Sequence, residues 1–322
     1  MVMHKNKKYD IVGIGNAIVD LIAEVDDSYL EKNSINKGSM SLVDYDVANR
    51  IGNEVDIVKT ISGGSVANSI VCIAQQNLKT VFIGKVNQDE LGEKFAKGLA
   101  EENVEFKITK SLVNKHTARC IILVSTDAER TMNTYLGVSQ ELTEEDVDLN
   151  IIEESSILYL EGYLWDLDNA KKAIKKSIST AINSETKIAF SISDAFCVDR
   201  FREEFIDLVN NSVDIIFANE SEIKSLFETN ELNDAIKKCQ DTKKIFAVTL
   251  GDKGAKIIYK NEVIDIKAEV INKLVDTTGA GDLFAAGFLA EYLKTQDLEL
   301  SGKQGVKMAS IIIQQFGARL EF

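Results

Sequence analysis

The sequence predicts an α/β protein with a doubly wound, mostly parallel central sheet and a small β-sheet lid. Two observations support this prediction: short apolar runs alternate with helical stretches along most of the chain, and two segments interrupt that alternation. Helices that alternate with buried strands cover both faces of a parallel sheet. The length of 322 residues fits one large α/β unit with an accessory element.

The apolar runs predict six strands of the central sheet. The first run, YDIVGIG at 9–15, is short and ends in glycines, as is typical of a strand buried on both faces. The other predicted strands are 80–86, 157–160, 187–192, 214–218 and 245–250. Helical periodicity predicts helices at 65–76, 91–102, 168–183, 199–210, 220–228 and 232–239, and an amphipathic helix at 283–293.

Two segments, 18–43 and 117–136, interrupt this alternation. The second segment alternates apolar and polar residues around a turn at Thr126-Asp127-Ala128, a pattern that predicts an antiparallel hairpin with one solvated face. We therefore expect a lid formed by about 16–45 and 112–137, inserted in a single domain that spans residues 1–322.

Composition restricts the classes of partner. The formal net charge of −14 creates a field that repels nucleic acid phosphates and anionic membranes, so neither is an expected partner. An anionic substrate would need a local cluster of backbone N–H groups, cations or metal. The first ten residues are polar and basic, and no apolar stretch has the length of a membrane span, which favours a cytoplasmic protein.

The sequence lacks the residue patterns of several common catalytic and binding sites. The four cysteines are far apart without CxxC spacing, which argues against a zinc site, and two histidines leave little for a Ser-His-Asp triad. In a dinucleotide fingerprint starting at Gly13, the third glycine position falls on Ile18, which is too bulky. A P-loop is missing because Gly84-Lys85 and Gly302-Lys303 are not followed by Ser or Thr.

The segment DTTGAGD at 276–282 has the composition of an anion site. Three small residues at the start of a predicted helix, Gly279, Ala280 and Gly281, could direct backbone N–H groups at an anion, assisted by the helix dipole. Asp282, in the first helical turn, could accept the proton of a hydroxyl that attacks phosphorus. The simpler alternative is a glycine-rich turn with a capping aspartate.

This segment resembles the signature of the ribokinase-like (PfkB) carbohydrate and nucleoside kinases. Three further segments resemble motifs of that family: GGSVAN at 63–68, NESE at 219–222 and TLGDKG at 249–254. The resemblance extends across essentially the whole chain. It implies an ATP-dependent phosphotransferase with an alcohol acceptor, with Asp282 as general base and 279–281 as anion hole.

The resemblance also implies how ATP and metal are bound. The expected ATP-binding residues are Asn219, Thr249, Gly251 and Gly254. Glu222 is expected to hold Mg²⁺ through the water shell, which suits an ion that dehydrates reluctantly. The alternative for Glu222 is a solvated acid at a helix start. Activation by a monovalent cation such as K⁺ near Asp276 is a further expectation.

Within the family, GNAIVD at 15–20 and GGSVANSI at 63–70 are similar to segments of adenosine kinases. This similarity implies that Asp20, Gly64 and Asn68 bind two ribose hydroxyls. The expected substrate-binding residues are Asp20, Asn16, Gly63, Gly64 and Asn68. A carboxylate that accepts from vicinal hydroxyls rejects acceptors that lack them.

The similarity further implies a catalytic arginine in the lid, since Glu129-Arg130-Thr131 matches the segment that carries it in adenosine kinases. Arg130 could close over the γ-phosphoryl group. Candidate aromatic walls of the acceptor pocket are Tyr135, Tyr163, Trp165 and Phe196.

The expected reaction is phosphorylation of the 5′-hydroxyl of a ribonucleoside, adenosine giving AMP, by a monomer or homodimer. Two alternatives stay open: a sugar kinase for ribose, fructose or a keto-sugar acid, and a catalytically weak nucleoside-binding protein.

Overall fold

The structure, a computed structural model, describes residues 7–108, 115–127 and 129–320, and its strands form two sheets. The strands are β1 (Tyr9–Ile14), β2 (Ile18–Glu24), β3 (Met40–Leu42), β4 (Ile57–Gly63), β5 (Thr80–Gly84), β6 (Glu105–Ile108), β7 (Ala118–Val124), β8 (Arg130–Tyr135), β9 (Ser155–Glu161), β10 (Lys187–Ser191), β11 (Ile215–Asn219), β12 (Ile245–Thr249), β13 (Ala255–Tyr259) and β14 (Glu262–Ile266).

The helices cover these sheets. They are α1 (Asp27–Lys32), α2 (Tyr45–Glu54), α3 (Ser65–Ala74), α4 (Glu90–Glu101), α5 (Leu149–Glu153), α6 (Asp168–Asn183), α7 (Ala195–Asn211), α8 (Glu220–Leu226), α9 (Leu232–Thr242), α10 (Ala280–Thr295) and α11 (Leu298–Ile312). Among the described residues, none of these helices combines the length and apolar character that a membrane crossing needs.

The large sheet confirms the predicted fold class. Its nine strands lie in the order β14-β13-β12-β11-β10-β9-β1-β5-β6, and β12 to β6 along this order pair in parallel. Only the edge hairpin β13-β14 runs antiparallel to its neighbours. The chain moves outward in both directions from β1 and β9, so these two strands form the switch point beside which α/β proteins bind ligands.

The helix at the predicted anion site is more deeply buried than its sequence indicates. We predicted an amphipathic helix at 283–293, but in α10 every residue from Leu283 to Ala290 is buried. The amphipathic prediction is wrong because α10 packs between α3 and α11, a helix that was not predicted. Burial on nearly all sides fixes where this helix begins.

The second sheet lies outside the first, with strand order β3-β8-β7-β2-β4. The predicted hairpin is confirmed by the antiparallel pairing of β7 with β8. One face packs on α1 and α2 through Ala23, Ile121 and neighbouring apolar residues. The opposite face carries Asp20 and apolar side chains. Residues 112–114 and Ala128 of the predicted lid lie outside the described residues, and its boundaries stay a prediction.

A buried ion pair fastens the segment before α5 to the main sheet. Lys85, directly after β5, contacts Asp146 with 2.6 Å between Nζ and Oδ2, and the two side chains are 8% and 3% exposed. Lys85 also donates to the main-chain oxygen of Glu141 (2.8 Å). The Gly84-Lys85 dipeptide, which does not form a P-loop, therefore has a structural role.

We predict that Lys85→Met lowers the free energy of unfolding by about 3 to 5 kcal/mol, because it leaves a buried carboxylate uncompensated. Lys94→Met is the matched control: its pair with Glu90 is exposed (48% and 80%), so the loss should stay below about 1 kcal/mol. Urea denaturation of both variants measures the difference. Equal losses would contradict this role for Lys85.

Candidate active site

The loop before α10 exposes backbone donors at a helix start. Gly279 is the N-cap with φ of 77°, and a Cβ atom added there would lie 2.7 Å from Cβ of Ala318. At Gly281 an added Cβ atom meets nothing within 4 Å. The N–H of Ala280 donates to the main-chain oxygen of Thr277 (3.2 Å), whereas those of Gly279 and Gly281 have no acceptor among the described residues. These two open donors face the space in front of the helix.

Asp282 lies where the first turns of α10 and α3 meet. Its Oδ1 accepts from Ser65 Oγ (2.7 Å) and its Oδ2 from Asn68 Nδ2 (3.0 Å). Ser69 Oγ donates to the main-chain oxygen of Asp282 (2.8 Å). Burial raises the pKa of Asp282, while the bonds from Asn68 and Ser65 oppose that shift. The carboxylate is thus held in one orientation at the edge of the anion loop, residues 276–281.

Asp20 projects over the glycine loop between β4 and α3. A Cβ atom at Gly63 would lie 2.4 Å from Asp20 Oδ2, and one at Gly64 (φ 102°) would lie 2.1 Å from the main-chain oxygen of Asn16. Only glycine admits these approaches. No described residue donates a hydrogen bond to the Asp20 carboxylate, which leaves both oxygens available to a ligand. Burial raises the pKa of Asp20 to about 7, with Arg319 and Arg130 opposing the shift.

Glu161 connects the start of β2 to α3. This buried carboxylate accepts from Asn16 N (2.9 Å) and Asn16 Nδ2 (2.8 Å) through Oε1, and from Val66 N (3.0 Å) through Oε2. Burial raises its pKa to about 7. The Asn16 amide nitrogen donates to Glu161, whereas the amide oxygen Oδ1 of Asn16 is buried without a partner among the described residues. A donor on a ligand could satisfy that oxygen.

Arg130 brings the lid into contact with the anion loop. From the start of β8, its NH2 lies 2.9 Å from Asp276 Oδ2, with both side chains nearly buried. Asp276 also accepts from the backbone N–H and hydroxyl of Thr278 (3.0 and 2.7 Å) and from the N–H of Gly317 (2.9 Å). The lid is therefore closed onto the loop.

A cavity of about 400 Å³ opens on the other side of the anion loop. Gly251 (φ 62°) and Gly254 (φ 92°) form its rim, and a Cβ atom at Gly254 would lie 2.1 Å from the main-chain oxygen of Ile266. Gly281 lies at the wall toward Asp282. Apolar residues line much of the rest, namely Ile271, Leu274, Phe284, Val306, Ala309 and Ile313, beside polar residues that include Asp252 and Glu269. Such a cavity suits a planar ring, with its charged end at the helix start.

Asn219 and Glu222 form a capping box at the start of α8. Asn219 N and Nδ2 donate to the Glu222 carboxylate (2.9 and 2.5 Å), and Glu222 N donates to Asn219 Oδ1 (2.9 Å). Asn219 pairs in register with Thr249 at the carboxyl ends of β11 and β12. Burial raises the pKa of Glu222 to about 7, and Asp194 acts in the same direction. Glu222 is buried, so it is not a solvated acid at a helix start, which was the alternative interpretation of this residue.

Comparison with known families now decides the class. The model of the pfkB family of carbohydrate kinases matches residues 10–321. The chain belongs to the PfkB family. It is a phosphotransferase with an alcohol acceptor, a sugar or a nucleoside, and kinases of this family use ATP and Mg²⁺.

Relatives of this PfkB kinase include both acceptor classes. An adenosine kinase from Sinorhizobium meliloti is 41% identical with a TM-score of 0.89, covering 97% of this chain and 96% of that one. A protein from Rhizobium etli described as a probable sugar kinase is 39% identical with a TM-score of 0.90, covering 97% and 95%. Adenosine kinase of Saccharomyces cerevisiae is 27% identical over 95% of each chain.

The donor set at this site fits a hydrated Mg²⁺. The described residues contain no group of three or more His, Cys, Asp or Glu side chains that could hold a metal. Mg²⁺ that enters with ATP would be held by phosphate oxygens and water, the ligands that suit an ion that dehydrates reluctantly, and the role of Glu222 toward that water stays a prediction. When bound, it would neutralise phosphate charge.

The predicted aromatic walls do not gather at the site. Trp165 is fully buried against Phe190 and Phe205 in the core. Tyr135 packs on the helix-covered face of the lid, and Phe196 is exposed. Tyr163, half-buried after β9, donates its N–H to Ser193 Oγ (3.2 Å), and burial together with the charges of Asp194 and Asp282 raises the pKa of its hydroxyl, so it alone of the four is near Asp282 among the described residues.

Sequence reasoning missed several residues of this PfkB site. Ser65 and Ser69 lie inside the quoted segment 63–70 and Glu161 ends β9, and their buried contacts give them roles. Phe316 lies beside Arg130, with 5.7 Å from the guanidinium carbon to the ring centre. Nothing in the local sequence marks Phe316, because its position depends on the path of the chain after α11.

We predict that Gly281→Ala reduces kcat/KM for ATP about tenfold or more, since the new methyl group fills the space before the open donors. The fold should tolerate it, because the added Cβ meets no atom and alanine favours helix. Gly52→Ala in α2 is the matched control, with one side-chain atom at 4.0 Å, and should keep full activity. Initial rates and urea denaturation measure both effects; unchanged kinetics in Gly281→Ala would refute the phosphate role.

Proposed function

We propose that this PfkB kinase transfers the γ-phosphoryl group of ATP to the 5′-hydroxyl of a ribonucleoside, converting adenosine to AMP. The observation that carries this proposal is the position of Asp282. Its carboxylate lies in the first turn of α10, next in the chain to the open donor of Gly281, contacts Asn68 at 3.0 Å, and is near enough to Asp20 for its charge to act there. A base between a phosphate site and a hydroxyl site is the arrangement that phosphoryl transfer requires.

In the proposed reaction the acceptor oxygen attacks the γ-phosphorus, and the bond from that phosphorus to the bridging β,γ-oxygen breaks to release ADP. Asp282 accepts the hydroxyl proton. Its raised pKa makes it a stronger base than an exposed carboxylate. The N–H groups of Gly279 and Gly281 stabilise the transferring group together with the helix dipole.

Arg130 adds positive charge on the lid side of the same reaction. In the closed lid it is paired with Asp276 and lies 3.5 Å from Thr278 Oγ1. An exchange of this partner for a phosphoryl oxygen would couple lid closure to substrate binding and exclude water. K⁺ activation near Asp276 stays a prediction, since Arg130, Thr278 and Gly317 already engage that carboxylate.

The acceptor site supplies hydrogen-bond acceptors for a diol and an apolar cover. Asp20 and the unpaired Asn16 Oδ1 accept from hydroxyl groups. On the Asp20 face of the lid, Ile22, Cys120 and Ile122 form an apolar cluster. That cluster favours a nucleoside, whose base needs apolar contact, over a free sugar. A sugar kinase is the second candidate, supported by the 39% identical Rhizobium etli relative.

We predict phosphorylation of adenosine with ATP and Mg²⁺ at a kcat/KM at least about a hundredfold above that for ribose, fructose or a keto-sugar acid, because only a nucleoside uses both the diol acceptors and the apolar cover. The measurement is a coupled ADP-release assay across this panel. ATP without acceptor is the control for hydrolysis. Turnover of a free sugar with none of any nucleoside would reject the nucleoside assignment and leave the sugar kinase.

A further inference from the structure

The chain after α11 passes through the middle of the site. Gly317 N donates to Asp276 Oδ2 (2.9 Å), and Ala318 packs against Gly279. Arg319 Nε donates to Asn68 Oδ1 (3.3 Å). This C-terminal segment, 316–320, therefore contacts both the anion loop and the glycine motif at 63–70, through Asn68. No sequence motif predicts a role for it.

The guanidinium of Arg319 is only partly satisfied. Its NH2 atom is buried without a hydrogen-bond partner among the described residues. Asp20 is near enough to influence its charge, yet the two side chains form no direct ion pair among the described contacts. A buried donor without a partner is costly unless a further group satisfies it, and Asp20 is the acidic group whose charge acts most strongly on this guanidinium.

We propose that Arg319 is a recognition residue of the acceptor site, whose NH2 donates to a hydroxyl oxygen of the acceptor's vicinal diol opposite Asp20. This inference rests on the proposed function in that it takes the acceptor to be a diol. A hydroxyl group can donate its proton to the Asp20 carboxylate, which only accepts, and its oxygen can accept from the Arg319 guanidinium, which only donates. The two side chains together therefore satisfy the diol.

Arg319 also positions the base through Asn68. An amide has one oxygen and one nitrogen, and Arg319 can only donate, so it holds Asn68 Oδ1 and turns Nδ2 toward the Asp282 carboxylate. Binding of the diol at Arg319 is thereby connected to the orientation of Asp282 by two hydrogen bonds.

The test is a thermodynamic cycle in which one change removes the Arg319 side chain from the enzyme and the other removes a hydroxyl group from the substrate. Parent, Arg319→Met and Arg319→Lys are assayed with adenosine, 2′-deoxyadenosine and 3′-deoxyadenosine, with Arg202→Met on α7 as matched control. For adenosine, Arg319→Met should raise KM about tenfold or more. Removing the contacted hydroxyl should then cost the variant at least about tenfold less than it costs the parent and the control.

Each cycle compares two substrates in one enzyme preparation, so a partly unfolded variant does not distort the ratio. Equal factors in the parent and Arg319→Met for both deoxy analogues would overturn the proposal. If the parent phosphorylates only a sugar, the proposed function fails, and the same cycle with that sugar and its deoxy analogues still decides the role of Arg319.

A pH profile tests whether the charge of Arg319 reaches Asp20, as its proposed place opposite that carboxylate requires. The charged groups that act on Asp20 are Arg319, Arg130 and Asp282, and the two arginines hold its pKa down against burial. The ionised carboxylate is the form that accepts from the diol, so kcat/KM for adenosine falls in the parent as the pH drops through the raised pKa of Asp20. Arg319→Met should shift this fall to higher pH, whereas Arg319→Lys should restore it toward the parent. Identical profiles would contradict the inference.

Discussion

The site depends on the Asp282 carboxylate being shared by Ser65 and Asn68. These bonds join the first turns of α10 and α3, which are more than two hundred residues apart in the chain. Since α10 is buried on nearly all sides, its start cannot shift without disturbing the core. A rigid core therefore positions the base, the anion loop and the acceptor loop relative to one another.

The second constraint is charge. A chain with net charge −14 that concentrates Asp20, Glu161 and Asp282 at one site would repel a nucleotide. Arg130 and Arg319 reach this site from the lid and the C-terminal segment, and the α10 dipole adds to them. Their buried positions make these charges effective because little water screens them. The cations also moderate the pKa of Asp20, which burial raises.

The fold class was predictable from local sequence, and the candidate site residues were identified through the family resemblance. Six of the seven parallel strands and the lid hairpin are each specified within a few residues, so periodicity was sufficient for them, whereas β6, β13 and β14 were not predicted. Ser65, Glu161 and Arg319 gain their roles from partners far along the chain, which no local pattern records. The amphipathic reading of α10 failed for the same reason, because α11 covers the side that was expected to face solvent.

The role of Asp282 as general base is tested by comparing the turnover of Asp282→Asn with that of Asp234→Asn. Both are third residues of their helices, α10 and α9, but Asp234 is exposed on a surface helix. With ATP and the best acceptor, Asp282→Asn should lower kcat by about a hundredfold or more, because asparagine keeps the shape but cannot accept the proton. Asp234→Asn should match the parent. An Asp282→Asn enzyme within about tenfold of the parent would contradict Asp282 as the general base.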